Sequence, residues 1–378
     1  MSEPNIGSLK KSRVLHEVES LSSVGSALTS AVERNKHPKQ LLRADGNIMC
    51  LTYIPEKDLI AGGLSNGKTF LYSISKGVVV RTLQKSDSWK KHMAITSLHC
   101  LASIGKKENS FSNREVLITT NVIGGIKMWN WREKMLIHSI DEPQPIYSSA
   151  VGHGKLITVG KNSAINIYDL ITFQNESSLK KTTQRDAMSG HTSRIFVVKV
   201  HPINVNEYVT AGWDNLVLFW DRRRPLPIRS VFGPHICGDS IDISSDGQKL
   251  LTCSWSIEDS VQVWDYKTGK MLSTSSQNHN FSKNYAGKWA TKEVAICGGI
   301  DPNALKVTAP EENNVLGGCL HLPMGVYAIQ LCGSKESWVV RQKIPGFKTM
   351  KGKYFSEKEE GIHLPATSFS CGPYLYSA

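Results

Sequence analysis

The segment GHTSRIFVVKVHPINVNEYVTAGWDNLVLFWDRR, from Gly190 to Arg223, decides the fold of this chain. It consists of a Gly-His pair, a strand, a turn, a second strand, a tight turn and a third strand that ends in Trp-Asp. Its strands are nearly continuous apolar runs, such as IFVVKV and LVLFW, which is typical of strands buried on both faces. The segment therefore predicts an antiparallel unit that packs between neighbouring units.

Copies of this unit flank it along the chain. The next unit repeats the pattern and ends at Trp264-Asp265. Weaker copies carry Tyr72-Ser73, Trp129-Asn130, Tyr168-Asp169 or Thr308 in the Trp-Asp slot, and the last, GVYAIQLCGSKESWVVRQ, has two clear strands. The seven units lie between about residues 45 and 355 and span roughly 45 residues each, the spacing of four-stranded propeller blades. One blade cannot bury both of its faces alone, so the ring of blades must close.

The repeat resembles the WD-repeat (WD40) family. This resemblance implies an all-β fold over residues 45–378, a seven-bladed β-propeller of four-stranded antiparallel blades. It also implies a hydrogen-bonded structural tetrad, which the fourth blade matches with His191, Thr210, Asp214 and Trp220. A Trp–Thr–His–Asp chain can satisfy every buried polar group, because Trp donates while Thr both donates and accepts. We expect this set to be structural, not catalytic.

A second pattern, G-x-x-x-x-G-K-T from Gly62 to Thr69, matches a phosphate-binding loop. That loop requires a following helix, whose free N–H groups hold the phosphates. The residues that follow Thr69 alternate as FLYSIS, which predicts a strand. Asn66-Gly67 is a strong hairpin signal. The stretch therefore predicts the hairpin turn of a blade, without a nucleotide.

Residues 1–44 precede the first blade as an N-terminal arm. Apolar residues recur there at helical spacing, at Val14, Leu15, Val18, Leu21, Leu28 and Val32. Gly25 and the serines weaken the helix. The arm is predicted to be partly helical, or else disordered with its start supplying a strand that closes the last blade.

Composition indicates the compartment and limits the partners. The 378 residues carry a net charge of +12, but the basic residues are spread out, and the densest run is Arg222–Arg224. Spread charge indicates solubility more than nucleic-acid binding. The eight cysteines are scattered, which disfavours a disulfide framework or a zinc site. No apolar run spans a membrane, and the first residues lack a secretory signal, so we expect a cytoplasmic or nuclear protein.

The resemblance implies a non-catalytic scaffold for protein partners. The sequence has no obvious paired carboxylates and no metal-ligand spacing. We therefore expect no catalytic residue, metal, cofactor or small-molecule substrate. The identity of the partner stays open.

Two alternatives place partners elsewhere. YVTAGWDNLVLFWDRR, from Tyr208 to Arg223, resembles the box by which some WD-repeat proteins dock onto cullin-4 ubiquitin ligases, although it departs at Tyr208 and Leu218. In that hypothesis Asp221, Arg222 and Arg223 contact the partner, since an Arg can fork onto a carboxylate. In the second alternative hypothesis, a basic rim of the propeller associates with nucleic acid.

Two tryptophans are further candidates for partner binding. Trp213 lies in the turn before the third strand of the fourth blade, and Trp255 occupies the matching place in the fifth. Propeller geometry would bring both to the same rim, where Trp is favoured in binding hot spots. The alternative is that both pack against neighbouring loops and seal the blade edges.

Overall fold

The computed structural model describes residues 16–20, 46–54, 57–83, 93–101, 116–181, 189–274, 282–301, 303–319, 325–332 and 337–342. These residues form β-strands and one 3₁₀ turn at Pro310–Glu312, and no α-helix occurs among them. Within these ranges, no helix is long and apolar enough to cross a membrane.

The strands follow the chain in order and group into sheets. Strand β1 is His16–Ser20. Blade 1 contains β2 Ile48–Ile54, β3 Leu59–Leu64, β4 Thr69–Ser73 and β5 Val78–Leu83. Blade 2 contains β6 Ile95–Leu101, β7 Val116–Asn121, β8 Gly125–Asn130 and β9 Met135–Asp141. Blade 3 contains β10 Ile146–Gly152, β11 Lys155–Gly160, β12 Ile165–Asp169 and β13 Asn175–Leu179.

The second half continues the same plan. Blade 4 contains β14 Ile195–Val200, β15 Glu207–Gly212, β16 Leu216–Asp221 and β17 Arg229–Phe232. Blade 5 contains β18 Ile241–Ile243, β19 Lys249–Cys253, β20 Val261–Asp265 and β21 Met271–Thr274. Blade 6 contains β22 Lys283–Trp289, β23 Ala295–Ile300, β24 Ala304–Ala309 and β25 Asn314–Cys319. The seventh sheet contains β26 Val326–Cys332, β27 Ser337–Gln342 and β1.

The innermost strands of neighbouring sheets contact one another around a closed ring. Strand β26 contacts both β22 of blade 6 and β2 of blade 1, so the seventh sheet joins the end of the ring to its beginning. Apolar side chains fill the space between blades. Phe219 of blade 4, for example, packs in one buried cluster with Leu250 and Trp264 of blade 5.

The fold differs from the sequence prediction at the seventh sheet. Seven four-stranded antiparallel blades are predicted; six are four-stranded, whereas the described residues of the seventh sheet form three strands. The helix predicted in the arm is wrong at residues 16–20, which form β1 and pair antiparallel with β27 from His16 to Ser20. An edge strand has unpaired backbone groups that need partners, and β1 satisfies them on β27. The rest of the arm and the tail at 343–378 lie outside the described residues.

The predicted hairpin at Gly62–Thr69 is confirmed. Gly62 lies inside β3, and Thr69 begins β4, which pairs antiparallel with β3. Gly67 has a φ of +81°, in the region that glycine reaches without strain. The backbone N–H of Lys68 donates to Asn66 Oδ1 at 3.1 Å. The residues of the phosphate-loop pattern therefore form a blade turn between two strands.

Candidate functional site

The structure brings the four tetrad residues together in blade 4. Trp220 Nε1–H donates to Thr210 Oγ1 at 2.8 Å, and Thr210 Oγ1 lies 2.7 Å from His191 Nε2. His191 Nδ1 lies 2.9 Å from Asp214 Oδ2. Because Trp only donates, the Thr210 hydroxyl donates onward to Nε2, and His191 Nδ1–H donates to Asp214. The chain of hydrogen bonds leaves none of its members without a partner.

This network also fixes the loop at 190–194, which precedes β14. The backbone N–H of Thr192 donates to Asp214 Oδ2 at 2.9 Å, and the Trp213 N–H donates to the Arg194 carbonyl at 3.1 Å. Although burial opposes ionisation of Asp214, the hydrogen bond from His191 and the one from Thr192 lower the pKa of its carboxyl. The loop is thus held from both ends.

Two other blades keep half of the same arrangement. Trp129 Nε1–H donates to Thr119 Oγ1 at 3.2 Å in blade 2, and Trp264 Nε1–H donates to Thr252 Oγ1 at 2.9 Å in blade 5. The sequence contained a signal for the first of these, because Thr119 precedes Trp129 by ten residues, as Thr210 precedes Trp220. The hydrogen bond from Trp to Thr therefore recurs in three blades, whereas the sequence predicted it only in blade 4.

Blade 3 uses a buried carboxylate in a similar place. Glu142, on the connection between blades 2 and 3, is 6% exposed. It accepts hydrogen bonds from the Thr158 hydroxyl, from Asn166 Nδ2 at 2.7 Å and from Gln144 Nε2 at 3.3 Å. Thr158 is the fourth residue of β11, as Thr210 is of β15. Burial and the Glu142 carboxylate raise the pKa of Tyr168 above its usual value. Sequence reasoning missed this cluster.

A β-bulge recurs in the innermost strands of the sheets. Six of these strands skip one residue in their pairing with the next strand: Met49, Thr96, Tyr147, Phe196, Tyr285 and Tyr327. Tyr147 stacks on Phe196 with 5.2 Å between ring centroids. Tyr285 contacts Tyr327 at 4.7 Å. Since a bulge re-aims one side chain without ending the strand, it lets Tyr147, Phe196 and Tyr285 meet in one buried cluster, against which Tyr327 packs.

Trp213 and Trp255 join this aromatic cluster on the upper face, which we define as the side that carries the turns 213–215 and 255–260. Both are half-buried and pack against the cluster of Tyr147, Phe196, Cys237 and Tyr285. His235 lies between them, 5.7 Å from the Trp213 ring and 6.2 Å from the Trp255 ring. Trp213, His235 and Trp255 thus form one continuous row of rings on adjacent blades, which we call the aromatic arc.

Each tryptophan of the arc carries a cation on its ring. Arg194 lies 5.3 Å over Trp213, and Lys283 lies 4.9 Å over Trp255. Trp213 Nε1–H donates to Cys237 Sγ at 2.8 Å, whereas Trp255 Nε1 is buried with no hydrogen-bond partner among the described residues. Cation–π contacts and packing hold both rings in fixed orientations.

Below the aromatic arc, charged side chains line the ring's interior. Asp239 accepts from Lys199 at 2.6 Å and from Lys288 at 2.9 Å, which joins three adjacent blades. Although partial burial disfavours the charged form, the two ammonium groups hold the pKa of Asp239 below its usual value. The cluster is a three-residue ion bridge at the centre of the ring.

His99 lies on the innermost strand of blade 2, and its Nε2 is 2.9 Å from Ser149 Oγ of blade 3. Burial, followed by the positive charge of Lys199, lowers the pKa of His99 to about 4. Neutral imidazole is therefore the form that fits the folded ring at physiological pH.

The lowered pKa of His99 predicts that the folded protein loses stability in acid. Between pH 6.5 and about 4 the unfolded chain protonates His99 more readily than the folded chain does, so stability falls as pH falls through that window. We expect a loss on the order of 2 kcal/mol. Urea unfolding of the wild type and of His99→Gln measures it: the wild type should lose stability more steeply with acid than the variant. Parallel slopes would refute the assignment.

The opposite side of the ring, the lower face, carries the turns between third and fourth strands, including 222–224. Arg223 pairs with Asp221, with Nε at 2.9 Å from Oδ1 and Nη2 at 2.5 Å from Oδ2. Arg222 Nε donates to Asn206 Oδ1 at 2.9 Å. The predicted partner-binding residues Asp221, Arg222 and Arg223 therefore lie together. The guanidinium of Arg223, however, is already hydrogen-bonded to the carboxylate of Asp221.

Comparison with known proteins gives distant relatives and a clear fold match. No family model matches the chain. It is 25% identical over 162 residues to Autophagy-related protein 16 of Arabidopsis thaliana, covering 43% of this chain and 30% of that protein. It is 20% identical over 232 residues to Periodic tryptophan protein 2 of the same plant, covering 60% and 23%. The chain thus spans less than a third of the length of these relatives.

Further comparisons agree on the repeat and the fold. A WD repeat-containing protein 89 homolog of Dictyostelium discoideum is 24% identical over 185 residues, covering 46% of this chain and 48% of that protein. A chain in the crystal structure of the Mitotic Checkpoint Complex superposes with a TM-score of 0.60 at 13% identity, covering 90% of this chain and 96% of that one. The resemblance to WD-repeat β-propellers is therefore confirmed.

Proposed function

We propose that this chain, a β-propeller of the WD-repeat type, is a non-catalytic scaffold that binds protein partners on its upper face. The observation that carries the proposal is the pair of half-buried tryptophans, Trp213 and Trp255, held on adjacent blades against one aromatic cluster. The WD-repeat relatives support this class of function in general terms. Fold alone does not assign a function, so the argument rests on the chemistry of this surface.

Trp213 and Trp255 have the properties of interface anchors. A Trp ring covers a large area and has few rotatable bonds, so its ordering at an interface costs little entropy. Here that cost is reduced further, because Phe196, His235 and Arg194 already fix the Trp213 ring. A partner that covers the arc would meet a rigid, preorganised aromatic surface.

The competing interpretation is that both tryptophans only seal the edges of their blades. Their partial burial fits either role. A sealing role predicts that removal of the rings lowers stability, whereas a binding role predicts that removal lowers affinity. The two effects can be measured separately.

The double variant Trp213→Ala and Trp255→Ala separates the roles. We expect the ring to stay folded by circular dichroism, while the proteins that co-purify with the wild type from its native cell are lost by about tenfold or more, as for paired hot spots. A lower-face variant, Arg222→Ala with Arg224→Ala, serves as the control and should retain them. Retention of partners by the tryptophan variant, with their loss from the control, would assign binding to the lower face. Unfolding of the tryptophan variant would favour the sealing role.

A further inference from the structure

Four basic side chains lie on the upper face of blades 3 and 4, next to the aromatic arc. We call them the basic patch: Lys161, Lys180, Lys181 and Arg194. Lys161 begins the turn between β11 and β12. Lys180 and Lys181 follow β13, and Arg194 ends the loop before β14. The three segments come from two blades and carry no shared sequence motif.

Contacts between these segments place them side by side. A Cβ on Gly190 would lie 3.4 Å from the Cα of Lys181 and from the carbonyl oxygen of Lys180, so the 190–194 loop runs against the end of blade 3. Ser163 Oγ donates to the Ser193 carbonyl at 2.7 Å, which joins the Lys161 turn to the same loop. The patch is therefore continuous over the junction of the two blades.

No carboxylate among the described residues neutralises the basic patch. None of its four side chains forms an ion pair there, whereas lysines elsewhere do, for example Lys249 with Glu311 and Lys292 with Asp246. Two acidic residues of the described loops in blades 3 and 4 are engaged elsewhere. Asp214 accepts from His191 and Thr192, and Glu142 is buried inside blade 3. Among the described residues, the four cations of the patch therefore have no carboxylate partner.

Arg194 joins the basic patch to the aromatic arc. Its guanidinium carbon lies 5.3 Å from the Trp213 ring centroid, and its carbonyl accepts a hydrogen bond from the Trp213 backbone N–H at 3.1 Å. A guanidinium has five N–H donors, which can bind a carboxylate while the cation contacts an aromatic ring. The tetrad fixes the loop on which this cation sits, so the position of Arg194 does not depend on the partner.

We propose that the basic patch binds an acidic segment of a protein partner, with Arg194 contacting a carboxylate beside Trp213. This inference rests on the proposed upper-face scaffold and names the chemistry of its partner. A peptide is favoured over nucleic acid because the upper face of blade 5 carries exposed Glu258 and Asp259. These carboxylates would repel a phosphate backbone that continued across the face, whereas a short acidic segment ends before reaching them.

A charge-reversal comparison tests the proposal. The patch variant carries Lys161→Glu, Lys181→Glu and Arg194→Glu. The matched control carries Lys76→Glu, Lys134→Glu and Lys267→Glu, three exposed lower-face residues, so both variants have the same net charge. The probe is a labelled oligoglutamate peptide that contains one tryptophan, measured by fluorescence anisotropy. We expect the patch variant to bind about tenfold or more weakly than the wild type, and the control to stay within about twofold.

Three outcomes would overturn the proposal. Equal losses in both variants would mean that only net charge matters. No binding of the peptide to the wild type would exclude an acidic segment as the ligand. Tighter binding of a single-stranded oligonucleotide of matched charge, lost in the patch variant, would assign the patch to nucleic acid. The single variant Arg194→Gln, checked by circular dichroism, keeps the test valid if the triple variant unfolds.

The test distinguishes this inference from the proposed function. If the patch variant keeps the co-purifying proteins while the Trp213 and Trp255 double variant loses them, the acidic-partner inference fails and the scaffold stands. If both variants keep those proteins, the upper-face scaffold itself fails.

Discussion

Replacement of Trp220 by alanine should lower the free energy of unfolding by about 3–5 kcal/mol. Trp220 is 1% exposed, and its ring lies parallel to that of Tyr208 in the core between blades 3 and 4. The change removes a large buried ring and takes from Thr210 the hydrogen-bond donor that begins the tetrad chain. Both losses act on the same core, so the effect should exceed that of an ordinary buried substitution. Urea unfolding followed by tryptophan fluorescence and circular dichroism measures it.

Two further variants separate packing from hydrogen bonding at this position. Trp220→Phe keeps most of the ring and loses only the donor, so it should cost about 1–2 kcal/mol. His191→Ala interrupts the chain at its centre and should destabilise the ring while it loosens the 190–194 loop. If Trp220→Ala and His191→Ala fold with unchanged melting temperatures and yet abolish a measured activity, the structural role proposed for the tetrad is wrong.

Replacement of Glu142 by alanine should cost about 3 kcal/mol, because it leaves several buried donors without an acceptor. Thr158, Asn166 and Gln144 all donate to this carboxylate. Each would lose its partner in the interior of blade 3, where water does not reach easily. Thermal unfolding followed by circular dichroism gives the change in melting temperature.

The control for this prediction is Glu133→Ala, at an exposed turn of blade 2. It removes the same charge from the chain and should change stability by less than about 0.5 kcal/mol. Glu142→Gln keeps one acceptor oxygen and should fall between the two. If Glu142→Ala is as stable as the Glu133 control, the carboxylate is not part of the blade 3 core.

The repeat could be predicted from the sequence where its defining residues recur at a fixed spacing. Trp220 follows Thr210 by ten residues on paired strands, and the hairpin at Asn66-Gly67 follows from glycine's access to positive φ. These features are local, so a single segment contains the information that specifies them. Six blades have four strands as predicted, whereas the described residues of the seventh sheet form three strands instead of a four-stranded blade.

The features that sequence reasoning missed depend on contacts between distant segments. Strand β1 pairs with β27 more than three hundred residues later; the sequence offered this closing strand only as the alternative to a helix, which its apolar spacing favoured. Glu142 lies in a connection with no fixed distance from its partners in blade 3. The bulges at residues such as Phe196 and Tyr285 are set by how the backbones of two strands pair. Composition does not reveal which residue leaves the ladder.

The basic patch illustrates the same limit for function. A net charge of +12 spread along the chain indicated no particular surface. Folding brings the segments that carry Lys161, Lys181 and Arg194 together. The carboxylate of Asp214 is hydrogen-bonded to His191. The positive charge of the site is thus set by which carboxylates the fold uses elsewhere.

Hydrogen–deuterium exchange of the chain, alone and bound to a partner recovered from its native cell, tests the upper-face scaffold most directly. We expect the partner to slow exchange at residues 190–194 and 213–215 on the upper face, and to leave the 222–224 turn on the lower face unchanged. Slower exchange at 222–224, with no change on the upper face, would contradict the account and place the partner on the opposite side of the ring.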